Sequence, residues 1–174
     1  MAGTKIQTIY CWEIKSDRLN IYMASSKKGA VRIKINLESS MNIIKYFQDI
    51  FSGIRIKKDR IANLPLINAL KASLTGERVP DDLPLDIKGT PFQMSAWNMI
   101  SRIPFGQTMT YGEIAKTVGQ PKGARAIGMA MSKNPLPLIF PCHRVVAANG
   151  LGGFREGVEI KKYLLNREST IKTT

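Results

Sequence analysis

The chain has one histidine, His143, and two cysteines, Cys11 and Cys142, in 174 residues. Three such side chains, spread along the chain, fall short of the four ligands of an ordinary structural zinc site, so no metal is expected. Two cysteines also exclude a disulfide-rich secreted scaffold. No apolar run approaches the roughly 20 residues of a membrane span. The first residues hold no apolar leader segment. Long polar tracts are missing too, and aliphatic residues recur throughout at 44% hydrophobic content. That excludes a disordered chain and allows a buried core in one domain or two small ones. Acid is scarce: 13 Asp and Glu face 26 Lys and Arg, a formal charge of +13. Such an excess suggests a polyanionic partner, usually nucleic acid; a generally basic, well-solvated surface is the competing reading. A cytoplasmic protein with a basic surface and no membrane partner is expected.

The charge is shared out, with 15 basic against 9 acidic side chains in residues 1–89 and 11 against 4 in residues 90–174. The stretch from Arg102 to Lys133 is more pointed, since its five basic residues face Glu113 alone. The first third reads as β. Val31, Ile33, Ile35 and Leu37 alternate with Arg32, Lys34 and Asn36, the period of a strand with one buried face. Segments near Lys5–Ile14 and Leu19–Ala24, with turns at Ser16-Asp17 and Lys27-Lys28-Gly29, complete a three-stranded antiparallel meander. Ser39 or Ser40 is placed to cap a helix through about Phe51. Leu64, Ile67, Leu70 and Leu74 mark a second helix, which Gly76 closes. Two prolines and three aspartates make 79–89 a linker between an N-terminal domain, 1–78, and a C-terminal one, 90–174.

Thr90-Pro91-Phe92-Gln93 and Thr110-Tyr111-Gly112-Glu113 both read as capping boxes that open helices. The second helix runs through Val118 and stops at Gly119. A third, about Gly123 to Lys133, is rich in small residues, including Ala124 and Gly128. A short helix, a Gly-containing turn and a second helix with a basic flank match a helix-turn-helix, a pattern that packed helices also produce. The small residues allow either close helix packing or close approach to DNA. Beyond Asn134-Pro135 comes Pro141-Cys142-His143-Arg144-Val145-Val146. Only a thiolate is a good nucleophile, and a nearby imidazole can take the proton. Neighbours in extended chain point to opposite sides, so a bridging water between Cys142 and His143 fits better than direct contact. A carboxylate beyond the imidazole would hold its tautomer.

These residues resemble the O6-alkylguanine-DNA alkyltransferase family, whose members are methylated-DNA–protein cysteine methyltransferases. The motif Pro141–Val146, with Asn134-Pro135, Tyr111 and Arg125 before it, carries the resemblance, which covers about Thr90 to Glu168. The resemblance implies an α+β fold: a small N-terminal domain of antiparallel sheet and helix, then a mostly α domain with a helix-turn-helix and a buried cysteine loop. It implies that Cys142 accepts the alkyl group, His143 takes its proton through a water, Glu168 orients His143, and Asn134 braces the cysteine loop. Tyr111 would donate a proton to the departing guanine. Arg125 would enter the duplex in place of the extruded base. Thr110, Lys122, Ala124, Gly128, Lys133 and Arg144 would lie against DNA. Tyr111, Val145, Gly153, Phe154 and Arg155 would line the substrate pocket. Phe154 stands where the family often has Tyr, and Arg155 and Glu156 stand where some relatives have Ser and Gly. The implied reaction is a single-turnover transfer needing no cofactor. The implied partner is duplex DNA bearing O6-alkylguanine, bound by a monomer, with cooperativity on DNA left open. Two rival readings are a damage-sensing DNA-binding module, which would lack the cysteine, and a Cys-His-Glu hydrolase, which leaves Arg125, Tyr111 and the charge unused.

Overall fold

The computed structural model describes residues 8–172. The fold is α+β, and the chain divides into two compact units. One takes in the chain through Ala69 together with Pro80–Ile87; the other takes in Leu70–Val79 and the chain from Lys88.

The first unit is built on β1 (Thr8–Ser16), β2 (Leu19–Ser26) and β3 (Gly29–Leu37), paired antiparallel in that order. This is the expected meander; Lys5, Ile6 and Gln7 of its first expected strand lie outside the described residues. Asp17 takes a left-handed φ of 54° in the first turn, a conformation Asp tolerates. Helix α1 (Ile43–Ile50) is capped by Asn42, not by Ser39 or Ser40: the Asn42 side chain accepts the Lys45 N–H at 3.0 Å. Its Ile43 and Phe47 pack with Ile9, Cys11, Tyr22 and Ala24 into one buried cluster. The sheet gains a strand the pattern does not announce. β4 (Arg55–Lys58) lies parallel to β1 at the edge, and only Ile56 among its four residues is apolar. Charged edge strands of this kind resist further pairing. The stretch expected as a linker is tied to β3: Ala30 N–H donates to Pro84 O, and Asp86 N–H to Ala30 O, both at 2.8 Å.

Helix α2 (Leu64–Thr75) ends as expected at Gly76, with a φ of 81°. In the second unit both capping boxes form as the sequence indicates. Thr90 caps α3 (Pro91–Ile100), and Thr110 caps α4 (Tyr111–Thr117), each with reciprocal bonds to Gln93 or Glu113. Gly119, with a φ of 75°, turns the chain into α5 (Ala124–Ser132). Ile114, Ala115, Ile127 and Ala130 are buried, so α4 and α5 form the helix-turn-helix pair. Trp97 of α3, 1% exposed, donates its indole N–H to Ala130 O at 2.9 Å. Two short strands, β5 (Met109–Thr110) and β6 (Val145–Val146), pair parallel and bring the start of α4 beside the Cys-His-Arg turn. Helix α6 (Val158–Lys172) closes the unit. Among the described residues no helix is long and apolar enough to cross a membrane.

Candidate active site

Cys142 opens a single 3-10 turn, Cys142–Arg144, at the end of the loop that follows α5. Asn134, 1% exposed, ties that loop to itself. Its Oδ1 accepts the Leu136 N–H at 3.0 Å. Its Nδ2 donates to Phe140 O at 2.8 Å and to Cys142 Sγ at 3.1 Å. These partners fix which way the amide faces. Leu138 in the same loop has a φ of 78°, a left-handed conformation costing about 1–3 kcal/mol for such a residue. The Ser73 hydroxyl donates to Leu138 O at 2.8 Å and helps hold it there.

The thiol is buried, and burial pushes its pKa up to about 11 against the smaller opposing effects of the Asn134 hydrogen bond and the Arg155 and Lys161 charges. Cys142 is therefore a neutral thiol at rest, and its use as a nucleophile requires a base. His143 is fully buried, with Nε2 2.6 Å from Glu168 Oε1. Glu168 also accepts from Arg144 Nε and Nη2, each at 3.0 Å, and from the Gly106 N–H at 2.9 Å. Burial works to raise the Glu168 carboxyl; hydrogen bonds and charge from His143 and Arg144 outweigh it and hold it at about 2. An ionised carboxylate only accepts hydrogen bonds, so Nε2 carries the imidazole proton. Nδ1 is then left with its lone pair, and among the described residues it has no hydrogen-bond partner. Burial pushes the imidazole pKa down, so the ring is neutral.

Tyr111, the first residue of α4, donates its hydroxyl to Gly153 O at 3.3 Å. Burial and the nearby Cys142 raise its pKa, which keeps the phenol protonated. Gly152 lies against the ring. A Cβ there would come within 2.9 Å of Tyr111 Cε2, and its φ is 70°, so glycine is required on both counts. A cavity of ≈ 750 Å³ connects Cys142 and Tyr111 with the helix-turn-helix. Cys142, Tyr111, Met131, Gly153 and Phe154 line it, and so do Thr110, Ala124, Arg125 and Gly128 of the helix-turn-helix.

The structure thus brings together Cys142, His143, Glu168, Asn134 and Tyr111. Three expectations need correction. Arg144, expected against DNA, is 7% exposed and has its guanidinium on Glu168 and on Ile103 O at 2.8 Å; a buried group so engaged is withheld from phosphates. Val145, expected in the pocket, is fully buried outside the cavity lining. Arg155 also lies outside the lining and pairs with Glu156 at 2.9 Å. Lys122 and Lys133 are exposed at the two ends of α5. Sequence reasoning missed Lys161, a fully buried ammonium on α6 that donates to Val145 O at 2.5 Å and Gly153 O at 3.1 Å. Burial lowers its pKa to about 8. Its signal was available: Lys161, Leu164 and Glu168 follow helical spacing and share one inward face. Among the described residues no group of three or more His, Cys, Asp or Glu side chains could hold a metal ion.

A family model for the DNA-binding domain of 6-O-methylguanine DNA methyltransferase matches residues 91–170. The inducible methylated-DNA–protein-cysteine methyltransferase of Bacillus subtilis is 33% identical over 166 residues, 95% of this chain and 93% of that protein. The methylated-DNA–protein-cysteine methyltransferase of Methanosarcina acetivorans is 49% identical over 102 residues, 58% of this chain; the match spans 65% of that relative's length. Among solved structures, Mycobacterium tuberculosis OGT in complex with DNA superposes with a TM-score of 0.74 at 32% identity, covering 93% of this chain and 94% of that one.

Proposed function

The chain belongs to the methylated-DNA–protein-cysteine methyltransferase family, and we propose on that premise that it moves the alkyl group of O6-alkylguanine in duplex DNA onto Cys142, once per molecule. The observation that carries this reading is a buried neutral thiol in a cavity opening on a helix-turn-helix, beside an imidazole whose Nδ1 is unprotonated. Through a water, His143 Nδ1 takes the thiol proton. The thiolate then attacks the alkyl carbon in line with O6; the S–C bond forms as the C–O bond breaks, and its electron pair leaves on guanine. The Tyr111 phenol supplies a proton to the guanine ring as it leaves. The imidazolium proton afterwards restores the phenol. Guanine and an S-alkylcysteine result. A thioether does not hydrolyse, so the transfer is final.

The guanine reaches a buried sulfur only by leaving the base stack, at a cost of a few kcal/mol. Arg125, on α5 and in the cavity lining, fills the space the base vacates. Ala124 and Gly128 let the helix backbone come close to the duplex, while Lys122, Lys133 and Thr110 face the phosphates. Arg125→Ala is therefore expected to slow transfer from duplex DNA by about 10-fold or more, with a smaller loss when the lesion lies in a single strand, where unstacking costs less. Single-turnover transfer on the two substrates checks this; equal losses would place Arg125 among ordinary phosphate contacts.

A further inference from the structure

We propose that Arg144 is a positioning residue for the transfer: by sharing the Glu168 carboxylate with His143, it offsets the pull of that carboxylate toward imidazolium, so that the buried ring stays neutral and its Nδ1 stays open to the thiol proton. This rests on the function proposed above and adds a residue that the reaction does not otherwise use.

The geometry supplies the argument. The guanidinium straddles Glu168, with Nε on Oε2 and Nη2 on Oε1, both at 3.0 Å. Its Nη1 is tied to Ile103 O, and its carbon stands 5.5 Å from the centre of the Phe105 ring. It is held on several sides and nearly excluded from solvent. His143 Nε2 and Arg144 Nη2 both reach the same oxygen, Oε1. Glu168 and Arg144 already sum to zero charge. Protonating His143 would add a third charge with no counter-ion in a site of low dielectric. A lone buried His–Glu pair would behave in the opposite way, since it reaches neutrality by becoming imidazolium and carboxylate. Among the described residues, four charged or titratable groups bear on His143. Glu168 and Lys161 act from α6, Arg144 from the same turn, and Cys142 adjoins it. Burial opposes the imidazolium most, Glu168 favours it, and Arg144 and Lys161 add to the opposition. Arg144 is in direct competition because it is the cation on the shared carboxylate.

The chain's single histidine makes the test direct, because long-range proton–nitrogen NMR of the full-length protein shows one imidazole. In the wild type the ring should be neutral with its proton on Nε2 at about pH 7. Arg144→Met should raise the imidazole pKa by about one unit or more. The acid limb of the label-transfer rate should move up with it, and transfer should recover at higher pH. Arg144→Lys keeps the charge but loses the fork, so the ring should stay neutral while transfer slows. An unshifted imidazole in Arg144→Met, or an equal shift in Arg144→Lys, overturns the proposal. If Arg144→Met does not fold, Arg144→Gln is titrated in its place: a raised imidazole pKa supports the proposal, and an unshifted one overturns it. The NMR titration needs no alkyl transfer. Wild-type protein with a neutral ring but no transfer would defeat the function and leave the charge balance standing.

Discussion

Asn134→Ala is expected to destabilise the second unit by about 3 kcal/mol, the sum of an orphaned buried N–H, weakened loop bonds and a small cavity. The Leu136 N–H loses its acceptor, and Phe140 O loses the amide donor while keeping the Cys142 N–H at 2.7 Å. The loop then has less to hold Leu138 in its left-handed conformation. The sulfur loses its amide donor as well, so a thiol already pushed up to about 11 becomes harder to ionise. Transfer should slow by about 10-fold or more even where the variant is fully folded. Urea unfolding and single-turnover transfer measure the two effects separately. A variant within a few tenths of a kcal/mol of wild type, reacting at the wild-type rate, would remove Asn134 from the account.

Glu168→Gln should have the larger effect on stability. Glutamine has no charge to set against Arg144, and stripping one partner from a buried ion pair costs about 3–5 kcal/mol. The pH dependence gives this prediction a second handle. The Glu168 carboxyl sits at about 2, below its ordinary value of 4.5. A depressed carboxylate contributes stability that is fully present above the unfolded value and drains away as pH falls through the folded one. The wild type should lose stability between about pH 4.5 and about pH 2 in the part owed to this group, and Glu168→Gln should lack that part of the decline. Transfer should also fall by about 10- to 100-fold, because an amide no longer fixes the imidazole proton on Nε2. Urea melts across the acid range supply the check, and parallel wild-type and variant curves would contradict it.

The elements that announced themselves did so by local chemistry. The two capping boxes at Thr90 and Thr110 need only residues three apart, and both form where the spacing placed them. The alternation in β3 and the Gly76 stop are local in the same sense. β4 was illegible because three of its four residues are cations, and its pairing with β1 depends on a partner far back in the chain. The cap of α1 was misplaced because Ser39, Ser40 and Asn42 all suit the role, and nothing local chooses among them. The site divides along the same line. Cys142, His143 and Asn134 stand out as residue types in a compact motif. Arg144 and Lys161 read as surface charge, which is where such residues usually belong. Their burial follows from partners on other elements: Glu168 and Ile103 O for Arg144, Val145 O and Gly153 O for Lys161. The helical spacing of Lys161 with Leu164 and Glu168 marks an inward face, but no spacing rule within a single element names those partners. The large basic excess therefore overstated what is available to DNA, since two of its cations hold the interior of the site together.

The central claim is that Cys142 itself becomes the alkyl carrier. Duplex DNA carrying O6-methylguanine with a labelled methyl group, mixed with excess protein and then digested, tests it most directly. The expected result is one label per lesion, recovered as S-methylcysteine on the peptide that contains Cys142, with none transferred by Cys142→Ser. Label released as methanol, label found on another residue, or wild-type transfer by Cys142→Ser would contradict it.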